Sequence, residues 1–280
     1  MKPYSEHGLP VRAGFTLVEL VVVVTMVGLL ASILVPTMAR TNPNTASFQC
    51  QNNLRQLAFA WKMYADDNNG GLVYNLDGGN AGKDSGDRAW VGGWLDYSAS
   101  TDNTNTALLI DHNRYPYAAY LGPYVKTPLI FKCPADRSTA PVANAPRPRV
   151  RSVSMNSLVG TGSRTWAMPS KYPLCTNLSQ INSPAYKFVF VDEREESIND
   201  GEFMTDPDTL YQLVDYPASY HNNAGSFSFA DCHSEIHRWK DPRTMPVLRP
   251  GQSLVLNLNL PGDMDVLWLA QHAAGVVSYP

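Results

Sequence analysis

The chain has 280 residues, of which 44% are hydrophobic and 17% charged, with a formal net charge of −3. That suits one or two globular domains with a real core. The densest basic run, Pro146 to Arg151, is short, which excludes nucleic acid as the main partner because phosphate binding needs clustered cations. None of the four cysteines forms a CxxC pair, which argues against zinc ribbons and thioredoxin-like chemistry.

A polar leader carrying Lys2 and Arg12 precedes an apolar run from Phe15 to Val35, 21 residues long. As an α-helix it spans roughly 30 Å, the hydrocarbon thickness of a bilayer. Basic residues on the leader keep that side cytoplasmic and place the rest of the chain outside. A cleaved secretory signal has a shorter core of about 7–15 residues, with its small residues after the core; here Ala13 and Gly14 come before it. A plain anchor explains the length but not Glu19. A carboxylate costs about 2.5–3.5 kcal/mol at mid-membrane, and less near a helix end.

Residues 14–36, GFTLVELVVVVTMVGLLASILVP, closely resemble the class III signal of type IV pilins and type II secretion pseudopilins. The resemblance implies that a prepilin peptidase/N-methyltransferase cuts after Gly14 and methylates the new amino terminus, Phe15. It implies that the apolar segment is retained, that Glu19 is the acid the family places fifth in the mature chain, and that Pro36 is its helix-kinking proline. Glu19, uncompensated in a lone subunit, would then pair with the amino terminus of Phe15 on a neighbouring subunit, an attraction that burial strengthens.

Beyond Pro36 the pattern stays helical. Phe48, Leu54, Leu57, Trp61 and Tyr64 fall roughly on one stripe. Pro43 marks a kink or restart, Thr45 can cap the second segment, and Asp66 to Gly71 is the stop. The expected organisation is a leader over 1–14, a transmembrane and assembly helix over 15–36, an amphipathic helix over 37–66 and an extracytoplasmic body over 67–280. The fold class implied is α+β and pilin-like: one long, broken N-terminal helix on a mainly antiparallel sheet with long loops.

In the body, Lys187 to Glu193 reads as a buried strand, and a short helix is expected near Tyr117 to Leu121. Ser226 to Trp239 reads as a hairpin. A two-residue turn at Asp231–Cys232 would put Phe227, Phe229 and Ile236 on the core face and His233, Glu235, His237 and Trp239 on the other. FKCPAD, RSVSMN, FVFVDEREESINDGEF and HNNAGSFSFADCHSEIHRW resemble large pseudopilin-like proteins with a C-terminal H-x9-D-G motif. His221 and Asp231 keep the spacing, but Cys232 stands where the family has glycine. A turn needing positive φ there suits Gly and not Cys, so the turn type differs or the loop is strained.

Candidate chemistry is sparse. His221, Asp231, His233 and His237 are metal-competent residue types, but residues four apart on a strand lie about 13 Å apart, too far for one ion without a bulge. The plainer expectation is an exposed polar face. Asp192 to Glu202 packs six acids and an Asn into eleven residues. Oxygen-rich loops bind Ca²⁺, with Asp192, Asn199 and Asp200 the first candidates; the alternative is a solvated acidic loop. GxSxG, SxxK and HExxH are all absent, so no catalytic residue is assigned and the chain is not expected to be an enzyme. Trp90, Trp94 and Tyr97 could stack on sugars; the plainer expectation is that they belong to the core or cap a loop. In an oxidising periplasm Cys50 and Cys133 are the favoured disulfide, with Cys175 and Cys232 remaining; the alternative is four buried free thiols.

The expectation is therefore a structural subunit of a type II secretion or type IV pilus-like filament. It would be single-pass in the inner membrane, with partners in prepilin peptidase, other pilin or pseudopilin subunits and the inner-membrane assembly platform. The alternative is a binding module for polysaccharide or a secreted protein, carried on a pilin stalk.

Overall fold

The computed structural model describes residues 16–39, 45–76, 78, 81, 88–160 and 171–276, with side chains in the first helix described to residue 30. The chain divides into two compact units, residues 1–43 and 44–280.

The first unit holds α1, Leu17–Ala39. Its start is set by a reciprocal capping box. The Thr16 N–H donates to Glu19 Oε2 at 2.8 Å and the Thr16 hydroxyl at 2.7 Å, while the Glu19 N–H donates back to Thr16 Oγ1 at 3.3 Å. The carboxylate therefore has hydrogen-bond donors within its own helix; these are neutral and supply no counter-charge. Leu17, Val18, Leu20 to Val24, Met26, Val27, Leu29 and Leu30 are all exposed. Among the described residues no helix is long and apolar enough to cross a membrane.

In the second unit come α2, Ala46–Asp67, and α3, Ala107–Ile110. The strands follow: β1 Thr139–Ala140, β2 Arg147–Pro148, β3 Val153–Asn156, β4 Phe188–Asp192, β5 Glu202–Phe203, β6 Gln212–Leu213, β7 Ala224–Phe229, β8 Ser234–Arg238 and β9 Leu258–Asn259. The last element is α4, Met264–Ala274. Thr45 caps α2 by accepting the Phe48 N–H. The buried stripe of α2 is Cys50, Leu54, Leu57, Trp61 and Tyr64 with small alanines between; Phe48, expected on it, is 41% exposed.

The main sheet runs β5-β3-β4-β7-β8. It is antiparallel except for the parallel β3–β5 pair, an α+β arrangement. One face packs on α2, joining Leu54, Leu57 and Trp61 to Val153, Met155 and Phe190. The other joins Phe188, Val191, Phe203 and Phe227 to Val266 and Leu269 of α4. A bulge in β4 divides the strand between these cores: the register against β7 shifts between Phe188 and Phe190. Phe188 and Val191 therefore serve the α4 side, while Phe190 serves the α2 side.

Two expectations are overturned here. Residues 117–121 are not helical; the helical turns are α3 and the 3₁₀ segment Gly122–Tyr124 on either side. Ala119 sits at φ 63°, which a right-handed helix cannot hold. In the hairpin, Phe227 pairs with Glu235 and Ser226 with Ile236. The turn holds three residues, because the Phe229 N–H donates to His233 O and the Cys232 N–H to Phe229 O. That one-residue slip exchanges the faces of β8. His237 and Trp239 lie on the Phe227 side and meet Trp268 of α4, His237 stacked at 3.8 Å and Trp239 edge-on at 6.1 Å between ring centroids.

Candidate functional site

Four chemically active side chains converge on the α2 face of the sheet. Cys50 belongs to the buried stripe of α2. Cys133 follows a 3₁₀ turn, Pro128–Phe131, whose start is capped by Thr127. Asp192 ends β4 opposite Val153. His221 lies just before β7, where Asn222 and Asn223 hold φ near 60° and reverse the chain, a conformation Asn tolerates. One ligand atom from each of the four lies within 4.8 Å of the others. Cys133 Sγ is 3.2 Å from His221 Nε2, and the Cys50 thiol donates to Asp192 Oδ2 at 3.5 Å.

A second ring of groups orients these four. The Ser152 hydroxyl donates to Asp192 Oδ1 at 2.6 Å and accepts the Cys133 N–H at 2.8 Å. The Ala135 N–H donates to Cys133 Sγ at 3.4 Å. Ser226 Oγ is fully buried and makes no hydrogen bond of good geometry. It is nonetheless close enough to the Cys50 sulfur to favour its thiolate.

Burial governs protonation. Asp192 is wholly buried, and desolvation pushes its carboxyl up to about 7 against the opposing bonds from Ser152 and the two thiols. For Cys50 the hydrogen bond with Cys133 lowers the pKa, but burial and the Asp192 charge leave it raised. Cys133 is raised by its bond to Cys50 and by burial. His221 is lowered by burial and stays neutral. The two thiols thus keep their protons, the imidazole stays neutral, and the carboxyl stands at the edge of ionisation near pH 7.

Asp192, Asn199 and Asp200 do not form one cage. Asp192 turns to the thiols and His221. Asp200 accepts the N–H groups of Gly78 and Glu202, and Asn199 Oδ1 accepts the Asp200 N–H. Nor is the acidic segment solvated: Glu193, Glu195, Glu196 and Asp200 are buried. Glu193 accepts from Ser154 and Ser197, and Glu196 pairs with Arg194 at 2.6 Å. A cavity of about 430 Å³ lies beside this segment, bordered by Trp94, Asn199, Asp200, Asp206 and Asp215.

Cys50 and Cys133 meet, but as free thiols rather than a bridge, and Cys175 and Cys232 are also free. Cys232 lies against α2, facing Ala58 O at 3.5 Å, whereas Cys175 faces Gln180 O at 3.7 Å. His221 is separated in role from Asp231, which binds His233 Nδ1 at 2.6 Å. Trp90 is fully buried, stacked on Phe131 and bonded to Asn75, so it presents no ring to a sugar. Gly14 and Phe15 lie outside the described residues. Pro36 falls within α1, its side chain outside them. Sequence reading missed the four-residue cluster, whose members share no local spacing. It also missed α4, whose cap Asp263 and terminal Gly275 at φ 75° were available signals.

Residues 10–35 match the family model of the prokaryotic N-terminal methylation motif. The chain therefore carries a type IV pilin-like signal of the kind that prepilin peptidase recognises in pilins. No curated protein and no solved structure shows significant similarity to the chain.

Proposed function

We propose that this chain is a structural subunit of a type II secretion or type IV pilus-like filament. It is cut by prepilin peptidase after Gly14, methylated at Phe15, held in the inner membrane by α1 and assembled through that helix onto sister subunits by the inner-membrane platform. The observation that carries the reading is the ordered signal over residues 10–35, joined to a helix whose apolar side chains are exposed from Leu17 to Leu30. Such a surface calls for lipid or neighbouring helices. Glu19, satisfied by Thr16 in the single chain, exchanges that bond for the amino terminus of a neighbour on assembly. The body stays extracytoplasmic and performs no catalysis.

Mass spectrometry of the mature amino terminus tests this. In cells with prepilin peptidase the chain loses residues 1–14 and gains one methyl group, whereas Gly14→Ala stays full length. Equal masses for the two chains would end the proposal. The cavity beside Trp94 favours the second reading, a binding module on the same stalk. Polysaccharide binding abolished by Trp94→Ala would establish it.

A further inference from the structure

We propose that Cys50, Cys133, Asp192 and His221 form a closed, structural site for one zinc-class transition-metal ion, which clamps α2 to the sheet. The inference stands on the cluster itself and does not rest on the filament reading. Zinc bonds of about 2.3 Å to sulfur and about 2.0–2.2 Å to nitrogen and oxygen set tetrahedral ligand atoms roughly 3.3–3.8 Å apart. The Cys133–His221 and Cys50–Asp192 separations are 3.2 and 3.5 Å, and all four ligand atoms lie within 4.8 Å of one another. A small inward movement of the ligand atoms completes the tetrahedron.

The donor set chooses the ion. Two thiolates and an imidazole suit zinc and its neighbours, whereas Ca²⁺ takes 6–8 oxygens. With four protein ligands and Cys50, Cys133 and Asp192 at 1%, 1% and 0% exposure, no position remains for a substrate, which marks a structural centre. The second ring also fits: Ser152 holds the non-ligating Asp192 oxygen, the Ala135 N–H points at the Cys133 sulfur, and the Ser226 hydroxyl waits beside Cys50. On binding, the two thiol protons and any proton on Asp192 pass to solvent, and the dication offsets the buried negative charge. The ligands come from α2, a loop, the central strand β4 and the segment before β7, so one ion ties together positions 50, 133, 192 and 221.

The test uses the full chain, purified in detergent from zinc-supplemented cells, with metal measured by plasma mass spectrometry. One zinc per chain is expected. It should be lost in Cys50→Ser and His221→Gln and kept in Cys175→Ser, whose sulfur lies outside the cluster. Because a ligand variant can fail to fold, wild-type protein stripped of metal is also titrated with Co²⁺. The expected result is the intense visible bands of tetrahedral cobalt with thiolate charge transfer, saturating at one equivalent, and a melting temperature that rises on loading. A Cys50–Cys133 disulfide recovered from non-reduced peptides would overturn the proposal. So would a fully reduced chain that takes up neither zinc nor cobalt, or undiminished metal in both ligand variants.

Discussion

Glu19 shows how one side chain can serve two states. Its carboxylate accepts both the N–H and the hydroxyl of Thr16, so its value in a single chain is that of a capping box, which Gln also satisfies. Its proposed value in a filament is its charge, which Gln lacks. Glu19→Gln should therefore be processed normally yet enter filaments at least about tenfold less than wild type, since a lost buried charge pair exceeds the 1.4 kcal/mol that a factor of ten represents. Sheared-filament yield measures this, and wild-type incorporation of Glu19→Gln would reduce Glu19 to a helix cap. Asp215 offers a second test at this scale. Burial holds its carboxyl up to about 8, against the Met204 N–H that stabilises the charged form. The folded chain thus keeps a proton that the unfolded chain loses near pH 4. Stability attributable to Asp215 is present at low pH and falls as pH rises from about 4 to 8, by up to about 1.4 kcal/mol per unit. Denaturation midpoints at several pH values should decline less steeply in Asp215→Asn, whose amide oxygen can still accept from Met204.

Among the elements, the β7–β8 hairpin is the most instructive. The H-x9-D-G resemblance marked Cys232 as a residue where glycine was expected, and Cys232 indeed stands at φ 71°. That the turn would differ in type or be strained was legible. The register was not, because a two-residue and a three-residue turn fit the same letters, and each sends β8 to a different face. Comparing Cys232→Gly with Cys232→Ala isolates the backbone, since both lose the sulfur that faces Ala58. Gly should be more stable than Ala by about 1 kcal/mol in chemical denaturation; equal midpoints would show that the turn relaxes. In α2 the start at Thr45 and the Leu54–Leu57–Trp61–Tyr64 stripe follow from spacing, while the exposure of Phe48 does not. In β4, alternation alone would place Phe188 and Phe190 on one face; the bulge parts them.

At the scale of the whole molecule, the body is a sheet with a separate core on each face, and Trp90 anchors the α2 side. It lies 5.9 Å from Phe131, 5.0 Å from Phe190 and beneath the Arg151 guanidinium. Trp90→Ala should cost about 3–5 kcal/mol, read as a large fall in the denaturation midpoint, whereas a glycan-binding tryptophan would leave that midpoint nearly unchanged. The sequence alone determined what depends on neighbours along the chain: the methylation signal over residues 10–35, the cap and apolar stripe of α2, the buried strand before the acidic segment and the anomaly at Cys232. Only the tertiary structure decided that this acidic segment is buried, that α4 covers the histidine face of the hairpin, and that Cys50, Cys133, Asp192 and His221 meet. The physical reason is that periodicity and capping are local, whereas a site built from four distant segments exists only after the packing of α2 on the sheet has brought its parts together.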